Sequence, residues 1–134
     1  MQTFLPYSSF EQSVACLDWR RLGKQRVEAS QLLNVISPDY NKKGWINHPA
    51  AKMWKGYSNA LTRYMNLCIL EWIRRGYNNT MEVIPIKCVR MPPWFGDEDF
   101  HASHRSNLLR KLPSWYGQFG WSETPNLPYV WPKL

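Results

Sequence analysis

The chain has 134 residues, 44% of them apolar, which fits a single domain with a modest hydrophobic core. Lys and Arg number 17 against 10 Asp and Glu, so the net charge is +7, and this excess favours a polyanionic partner such as nucleic acid. No apolar run approaches the roughly 20 residues of a membrane span, and the first residues do not resemble a secretory signal. We therefore expect a cytoplasmic protein that does not bind membranes.

Three cysteines, Cys16, Cys68 and Cys88, lie far apart and form no CxxC pair. This spacing is typical of neither a disulfide framework nor a zinc ribbon, so we expect three reduced and buried thiols. The chain also lacks the GxSxG, Walker and GxGxxG motifs. Their absence argues against an α/β hydrolase, a P-loop NTPase and an oxidoreductase with a nucleotide cofactor.

The first predicted elements are an arm and a short helix. Residues 1–7 are expected to be extended, because Pro6 prevents a helix there. Ser8 and Glu11 match a capping box, which predicts a helix over about 9–17.

Two long helices are predicted next. Asp18 can cap a helix that runs to about residue 36 and carries its apolar residues on one face. Pro49 suits the first turn of another helix, whose apolar residues recur every three or four positions to about residue 74. Gly76 is expected to end it in a left-handed conformation.

The second half of the chain is less regular. Residues 82–89 fit either a short strand or a loop, and a last helix is predicted over about 99–112, stopped by Pro113. The segment that follows is rich in Trp, Tyr and Pro and is expected to wrap irregularly over the core. The sequence thus predicts an all-α fold, residues 1–134 forming one compact helical domain with an extended N-terminal arm and an irregular C-terminal tail.

A cationic stretch on the second helix predicts a contact with DNA phosphates. Its cations are Arg20, Arg21, Lys24 and Arg26. Glu28 follows Lys24 by four residues, so the two can pair on one helix face. The alternative interpretation is a solvated helix surface with that one ion pair.

A second polar cluster lies on the last helix, where His101, His104 and Arg105 fall within about one turn. Imidazole and guanidinium suit phosphate binding or acid–base chemistry, and Asn107 and Lys111 extend the cluster towards a DNA contact. The alternative is a pair of structural histidines. A metal site is not expected, because no third ligand has a recognisable spacing.

Two smaller features complete the candidates. His48 precedes Pro49 and can either cap the helix or touch a phosphate at its start. Trp115 and Tyr116 are adjacent aromatics that can either stack on bases or seal the core.

Longer blocks of sequence resemble the pyrimidine-dimer DNA glycosylase family, and most closely a branch of phage and bacterial members. The blocks are LDxRRLGKQRVEA over 17–29, GWxNHPAxxMWxGY over 44–57, EWxxRGYxxT over 71–80, FHxSHRSNLLRKxPxxYGxF over 100–119, and LPYVWP over 127–132. The blocks extend, with gaps between them, from residue 17 to residue 132.

The resemblance implies a DNA repair glycosylase, either with or without AP-lyase activity, that acts on damaged pyrimidines in double-stranded DNA without a metal or an organic cofactor. A primary amine attacks C1′ of the sugar, a glutamate assists, and β-elimination can then cut the strand. For such an amine to be unprotonated, a neighbouring cationic cluster that lowers its pKa is favourable. We expect the protein to act as a monomer.

The resemblance assigns roles to particular residues. The nucleophile can be the α-amine of Met1, the α-amine of Gln2, or the side chain of Lys24, and Glu28 is the expected carboxylate, with His101 and His104 as further catalytic candidates. The residues expected to bind DNA are Arg20, Arg21, Lys24, Arg26, His48, Arg105, Asn107, Lys111, Trp115 and Tyr116. The alternatives are a non-catalytic nucleic-acid-binding protein and an enzyme that acts on a modified base or a nucleotide.

Overall fold

Six α-helices and one 3-10 turn make up the regular structure of residues 2–42 and 44–133, the part of the chain that the computed structural model describes. They are α1 (Phe10–Ala15), α2 (Trp19–Ile36), α3 (Pro49–Trp54), α4 (Ser58–Arg74), α5 (Glu98–Lys111), α6 (Pro113–Tyr116) and the 3-10 turn Gly117–Phe119. These residues include no strand, which confirms the predicted all-α class. None of the helices in these two ranges combines the length and the apolar character needed to cross a bilayer.

The capping residues explain where the first two helices begin. Asp18 caps α2 as predicted, because its carboxylate accepts a hydrogen bond from the backbone N–H of Arg21. The predicted cap of α1 was wrong by one residue. Ser9, and not Ser8, accepts from the Gln12 N–H, so α1 begins at Phe10.

The single long helix predicted from Pro49 to about residue 74 was also wrong. The chain breaks into α3 and α4 at Gly56, whose φ of +85° lies in the left-handed region that favours glycine. The apolar periodicity continues across the break, since buried Trp54 and Leu61 still face the same core. Gly76, with φ of +89°, ends α4 as predicted.

The core lies between α2 and α4, which pack closely along their lengths. Leu22, Ala29 and Leu32 of α2 and Tyr64 and Ile69 of α4 are fully buried there. At one end of the contact, the Trp72 ring lies against the backbone of α2. A Cβ on Gly23 would approach its Cζ3 atom to 3.0 Å, so this close approach depends on a glycine.

Residues 77–91 form a loop on the outer side of α4, not a strand. Two asparagines of α4 hold it by side-chain hydrogen bonds. The Asn66 amide donates to Ile84 O at 2.8 Å and accepts from Ile84 N at 3.0 Å, and Asn59 donates to Cys88 O at 2.7 Å. Cys88 is therefore exposed, contrary to prediction, whereas Cys16 and Cys68 are buried as predicted.

The N-terminal arm, residues 2–7, is bound to the helices by side chains and not by other backbone. Every N–H that it possesses and five of its six carbonyls make a hydrogen bond to a side chain. The donors and acceptors outside the arm are Ser13, Gln25, Glu28, Tyr64, His101, His104 and Arg105. Buried polar backbone is costly without partners, so these side chains are what make a buried arm possible.

The two histidines of α5 hold one residue of the arm, Leu5. His104 Nδ1 accepts from Leu5 N at 2.9 Å, and His101 Nδ1 donates to Leu5 O at 2.7 Å. His101 Nε2 in turn accepts from Gly96 N at 3.0 Å. Both rings are therefore neutral, and burial lowers the pKa of His101 and lowers that of His104 to about 3.

We expect this buried pair to make stability fall in acid. Below its ordinary pKa of 6.5, the His104 ring of the unfolded chain binds a proton that the folded protein excludes down to about pH 3. Its contribution is therefore complete above pH 6.5 and decreases below it, by about 2 kcal/mol between pH 7 and pH 5. Urea unfolding at the two pH values measures this loss. The variant H104N has no titratable side chain at this position, so its loss of unfolding free energy between pH 7 and pH 5 should be smaller by about the same amount. A loss as large as that of the wild-type protein would contradict the assignment of the pH dependence to His104.

Candidate functional site

A cavity of about 1280 Å³ opens between the arm, α2, the start of α3 and the C-terminal tail. It is large enough for a nucleotide, since ligand sites typically span about 300–1,000 Å³. Eight of the residues predicted from the sequence line it: Gln2, Arg20, Arg21, Lys24, Glu28, His48, Lys111 and Trp115. The candidate Met1 lies outside the described residues.

At the arm end of the cavity, the Glu28 carboxylate lies beside the backbone of Gln2. The Gln2 backbone nitrogen donates to Glu28 Oε2 at 3.2 Å. The ion pair predicted between Lys24 and Glu28 is not present among the described residues. Glu28 instead accepts from the arm and from the amide of Gln25, at 3.2 Å.

Gln25 connects the arm, the carboxylate and the core. Its Nε2 donates to Gln2 O at 2.8 Å as well as to Glu28 Oε2, and its Oε1 accepts from Phe4 N at 2.9 Å and from the Tyr64 hydroxyl at 2.6 Å. The side chain is 1% exposed, so these four bonds are made away from solvent. Sequence reasoning missed Gln25, although a glutamine on the apolar face of α2 was a signal that could have found it.

The cations of the cavity differ in their freedom to bind a phosphate. Arg74 and Arg75 both donate to Glu71 at 2.6–2.7 Å, and Arg21 pairs with Asp18 at 3.2 Å. The free cations, which make no ion pair among the described residues, are Arg20, Lys24 and Lys111. Burial, and then the neighbouring cations Arg21, Arg110 and Lys24, lower the pKa of Lys111.

Of the predicted residues on α5, Lys111 at the end of the helix lines the cavity, and the other four lie outside its lining. His101 and His104 hold the arm, as described above. Arg105 is 11% exposed and donates to Glu98, to Glu123 at 2.9 Å and to Pro6 O at 2.8 Å. Asn107 is buried and donates to Ser103 O at 2.7 Å and to Leu127 O at 3.2 Å. In this conformation none of the four side chains is available to DNA.

Arg26 and Tyr116 are likewise occupied within the fold. The Arg26 guanidinium lies over the Trp72 ring, 4.4 Å from its centroid, and donates to Asn79 at 2.8 Å. Tyr116 is fully buried, and its hydroxyl bonds to the Asp18 carboxylate. Its predicted neighbour in stacking, Trp115, is 38% exposed and lines the cavity.

Aromatic residues that sequence reasoning did not select also line the cavity: Phe4, Trp19, Tyr77, Tyr129 and Trp131. Trp19 is 51% exposed and Tyr77 is 39% exposed. Tyr77 packs on Trp72 with ring centroids 4.3 Å apart, and the Trp72 indole donates to Asn78 O at 2.7 Å. A fixed aromatic surface beside the cations suits a nucleic acid, which offers both phosphates and π-faces.

Comparison with known proteins gives one match. The family model described as pyrimidine dimer DNA glycosylase matches residues 1–85, well over half of the chain. No curated protein and no solved structure matches. The matched range includes the arm, Gln25 and Glu28 of α2, and His48, and so contains the side of the cavity that these residues line. The chain therefore belongs to the pyrimidine dimer DNA glycosylase family, a family of DNA repair enzymes.

Proposed function

We propose that the protein excises a damaged pyrimidine from double-stranded DNA and cuts the strand at the resulting site, using a primary amine at Gln2 and the carboxylate of Glu28. The observation that carries this proposal is the 3.2 Å distance between the Gln2 backbone nitrogen and Glu28 Oε2 inside a cationic cavity. Removal of Met1 would convert that nitrogen into a primary amine at the same position. Lys24 and the Met1 amine are the competing nucleophiles.

The chemistry begins when the amine attacks C1′ of the damaged nucleotide. The bond between C1′ and the base breaks, and the base takes the electron pair and a proton; in a cyclobutane dimer it stays joined to the neighbouring pyrimidine. The nitrogen then loses a proton, the bond between C1′ and the ring oxygen O4′ breaks, O4′ takes that electron pair and a proton, and the nitrogen lone pair forms the C=N bond of a protonated imine. Abstraction of a proton from C2′ and departure of the 3′ phosphate complete β-elimination, and water hydrolyses the imine to release the protein. These steps require no metal and no organic cofactor.

Glu28 is suited to the sugar steps. Its carboxylate can stabilise the positive charge that develops at C1′ and can accept a proton during ring opening. Gln25 holds both the carboxylate and the Gln2 carbonyl, so it sets the distance between the two reacting groups. Positioning of this kind removes much of the entropic cost of bringing reactants together.

The remaining cations would hold the DNA backbone. Arg20, Lys24 and Lys111 can each contact a phosphate without breaking an ion pair within the described residues. The same positive field disfavours an ammonium and so keeps an amine beside it unprotonated and nucleophilic. Unstacking a nucleotide from the duplex costs a few kcal/mol of free energy. The cost is smaller where damage has already distorted the base stack, so the protein would bind damaged DNA in preference to intact DNA.

Borohydride trapping tests this function directly. The protein would be incubated with duplexes that carry an abasic site, a cyclobutane pyrimidine dimer or no damage, and the imine would be reduced to a stable covalent bond. We expect a covalent band with the two damaged duplexes, mapped by mass spectrometry to the Gln2 amine. The variant K24R, which keeps the charge, should still be trapped. If no duplex gives a covalent band, the proposal is contradicted. If the cross-link maps to Lys24, that residue and not the Gln2 amine is the nucleophile.

A further inference from the structure

The loop between α2 and α3 presents a tryptophan, Trp45, to solvent beside the cavity. Its side chain is 50% exposed, and its ring packs on His48 with centroids 5.3 Å apart. His48 lines the cavity, as do Gln2 and Glu28. Trp45 itself does not line the cavity and lies one side chain away from the space that holds the reacting groups.

The fold holds Trp45 in this position at a conformational cost. Its φ of +70° lies in the left-handed region, which is costly for a large side chain. The Tyr40 hydroxyl donates to Gly44 O at 2.5 Å and His48 N donates to Trp45 O at 3.0 Å, so the backbone is fixed on both sides. Five of the eight tryptophans donate their indole N–H to a protein acceptor, but Trp45 makes no such bond among residues 2–42 and 44–133. A strained and exposed side chain with no polar contact in that part of the chain is typical of a contact with another molecule.

The surface around Trp45 is positively charged. Residues 40–62 contain four lysines and neither aspartate nor glutamate. Lys42 of the loop and Lys52 and Lys55 of α3 are exposed and make no ion pair with any residue that the structure describes. An exposed aromatic ring among such lysines suits a nucleic acid, and this surface is continuous with the cationic cavity through His48.

We propose that Trp45 enters the base stack of duplex DNA beside the lesion and stacks on the base pair next to the pyrimidine dimer. The proposal rests on the proposed function, since attack by the amine at Gln2 is what places the lesion within reach of Trp45. Apolar side chains that enter a base step unstack it and bend the duplex. Trp45 would act as such a wedge, while the lysines of α3 contact neighbouring phosphates.

The chemistry of the lesion explains why a wedge at this position would select damaged DNA. In a cyclobutane dimer, C5 and C6 of both pyrimidines are saturated, so the adjoining base pair faces a ring without an aromatic face. That pair has lost part of its stacking, and an indole can replace what it has lost. In intact DNA the same insertion must first separate two fully stacked pairs, which costs more free energy. Trp45 would therefore determine the choice of substrate and not the rate of the reaction at C1′.

Binding to damaged and intact DNA tests this role. Dissociation constants for a duplex with a cyclobutane thymine dimer and for the same duplex without damage would be measured by fluorescence anisotropy. Every protein would carry E28Q, which slows the reaction so that the DNA stays intact. W45A removes the ring, and W45F keeps an aromatic face. The control is L70A, because Leu70 is also 50% exposed but lies on α4 and does not line the cavity.

We expect the preference for the dimer duplex to fall about tenfold or more in W45A, which is the effect of losing one stacked base, and to stay within about twofold in L70A. W45F should stay within about threefold of the parent protein, because it can still stack. An unchanged preference in W45A would overturn the wedge. A loss in L70A or W45F as large as that in W45A would also overturn it.

Bending of the DNA gives a readout that a contact with the duplex surface would not change. Förster transfer between dyes at the two ends of the dimer duplex would be measured with protein at saturation. Transfer should rise more with the parent protein and L70A than with W45A, because a wedge opens a base step and bends the duplex. Equal transfer for all three proteins would place Trp45 outside the base stack and overturn the proposal. Self-association of the free protein that W45A abolishes would instead assign this surface to a second copy of the chain.

Failure of the proposed function has a different signature. If the amine chemistry is absent, the wild-type protein traps no duplex, yet the affinity ratio and the bending still report on Trp45. If the protein binds the dimer duplex and the intact duplex equally, the wedge is overturned, while trapping on the abasic duplex would still support the proposed function.

Discussion

The substitution E28Q is expected to slow formation of the trapped complex on abasic DNA by about 10²–10⁴-fold, the range that acid–base groups commonly contribute. Glutamine has the size of glutamate and can still accept one hydrogen bond from the arm, so the fold should be kept. It cannot stabilise positive charge at C1′ or accept a proton. Trapping rates under single-turnover conditions, with enzyme in excess over DNA, would measure the effect.

A matched control for E28Q is E11Q. Glu11 is an exposed acid that pairs with Arg63 at 2.7 Å and does not line the cavity. Its removal should leave the trapping rate within about twofold, since exposed ion pairs contribute little. DNA affinity, measured by fluorescence anisotropy, should change little in either variant. A trapping rate for E28Q equal to that of the wild-type protein would remove Glu28 from the mechanism.

The second large effect is expected at Gln25. The substitution Q25L would leave the Gln2 carbonyl and the Phe4 N–H without their present partner inside the core, whereas the Tyr64 hydroxyl keeps its bond to Phe4 O at 2.9 Å. Unfolding free energy should fall by about 3 kcal/mol, because each buried polar group left unpaired costs about 1–3 kcal/mol. In the fraction that remains folded, the trapping rate should also fall about tenfold or more, because the arm is no longer held against Glu28.

The control for Q25L is Q31L, which changes a glutamine on the exposed side of the same helix. Its unfolding free energy, measured in urea, should stay within about 0.5 kcal/mol of the wild-type value. The trapping rate would be corrected for the folded fraction. If Q25L loses stability but traps DNA at the wild-type rate, then Gln25 supports the fold and has no part in positioning the arm.

The sequence was informative where one residue decides a local structure. Asp18 predicted the start of α2 and Gly76 the end of α4, because a side-chain cap and a left-handed glycine act within a few residues. The break at Gly56 was not predicted. The apolar pattern runs through it undisturbed, and a glycine inside a helical pattern is tolerated often enough to be overlooked.

The candidate site was predictable in part. Arg20, Arg21 and Lys24, which line the cavity, were named from the visible charge cluster, and Glu28, which also lines it, was named from the family resemblance. The structural role of the α5 histidines was only the alternative interpretation, because the buried face of this helix is largely polar: His101, Ser103, His104, Ser106 and Asn107 are all buried. These side chains bond to irregular backbone of the arm and tail, which lie about 100 and 20 residues away along the chain. The arm and the tail have no helical or strand periodicity, so the sequence gives no sign that they pack against α5.

The way the arm is bound has a consequence for how molecules of this protein meet one another. Extended backbone with free N–H and C=O groups is a template on which a second chain can form a β-sheet, and such edges promote aggregation. Here the arm's polar groups are almost all taken by side chains of the same molecule. While the arm stays in place, it therefore offers a second molecule almost no free backbone groups with which to pair.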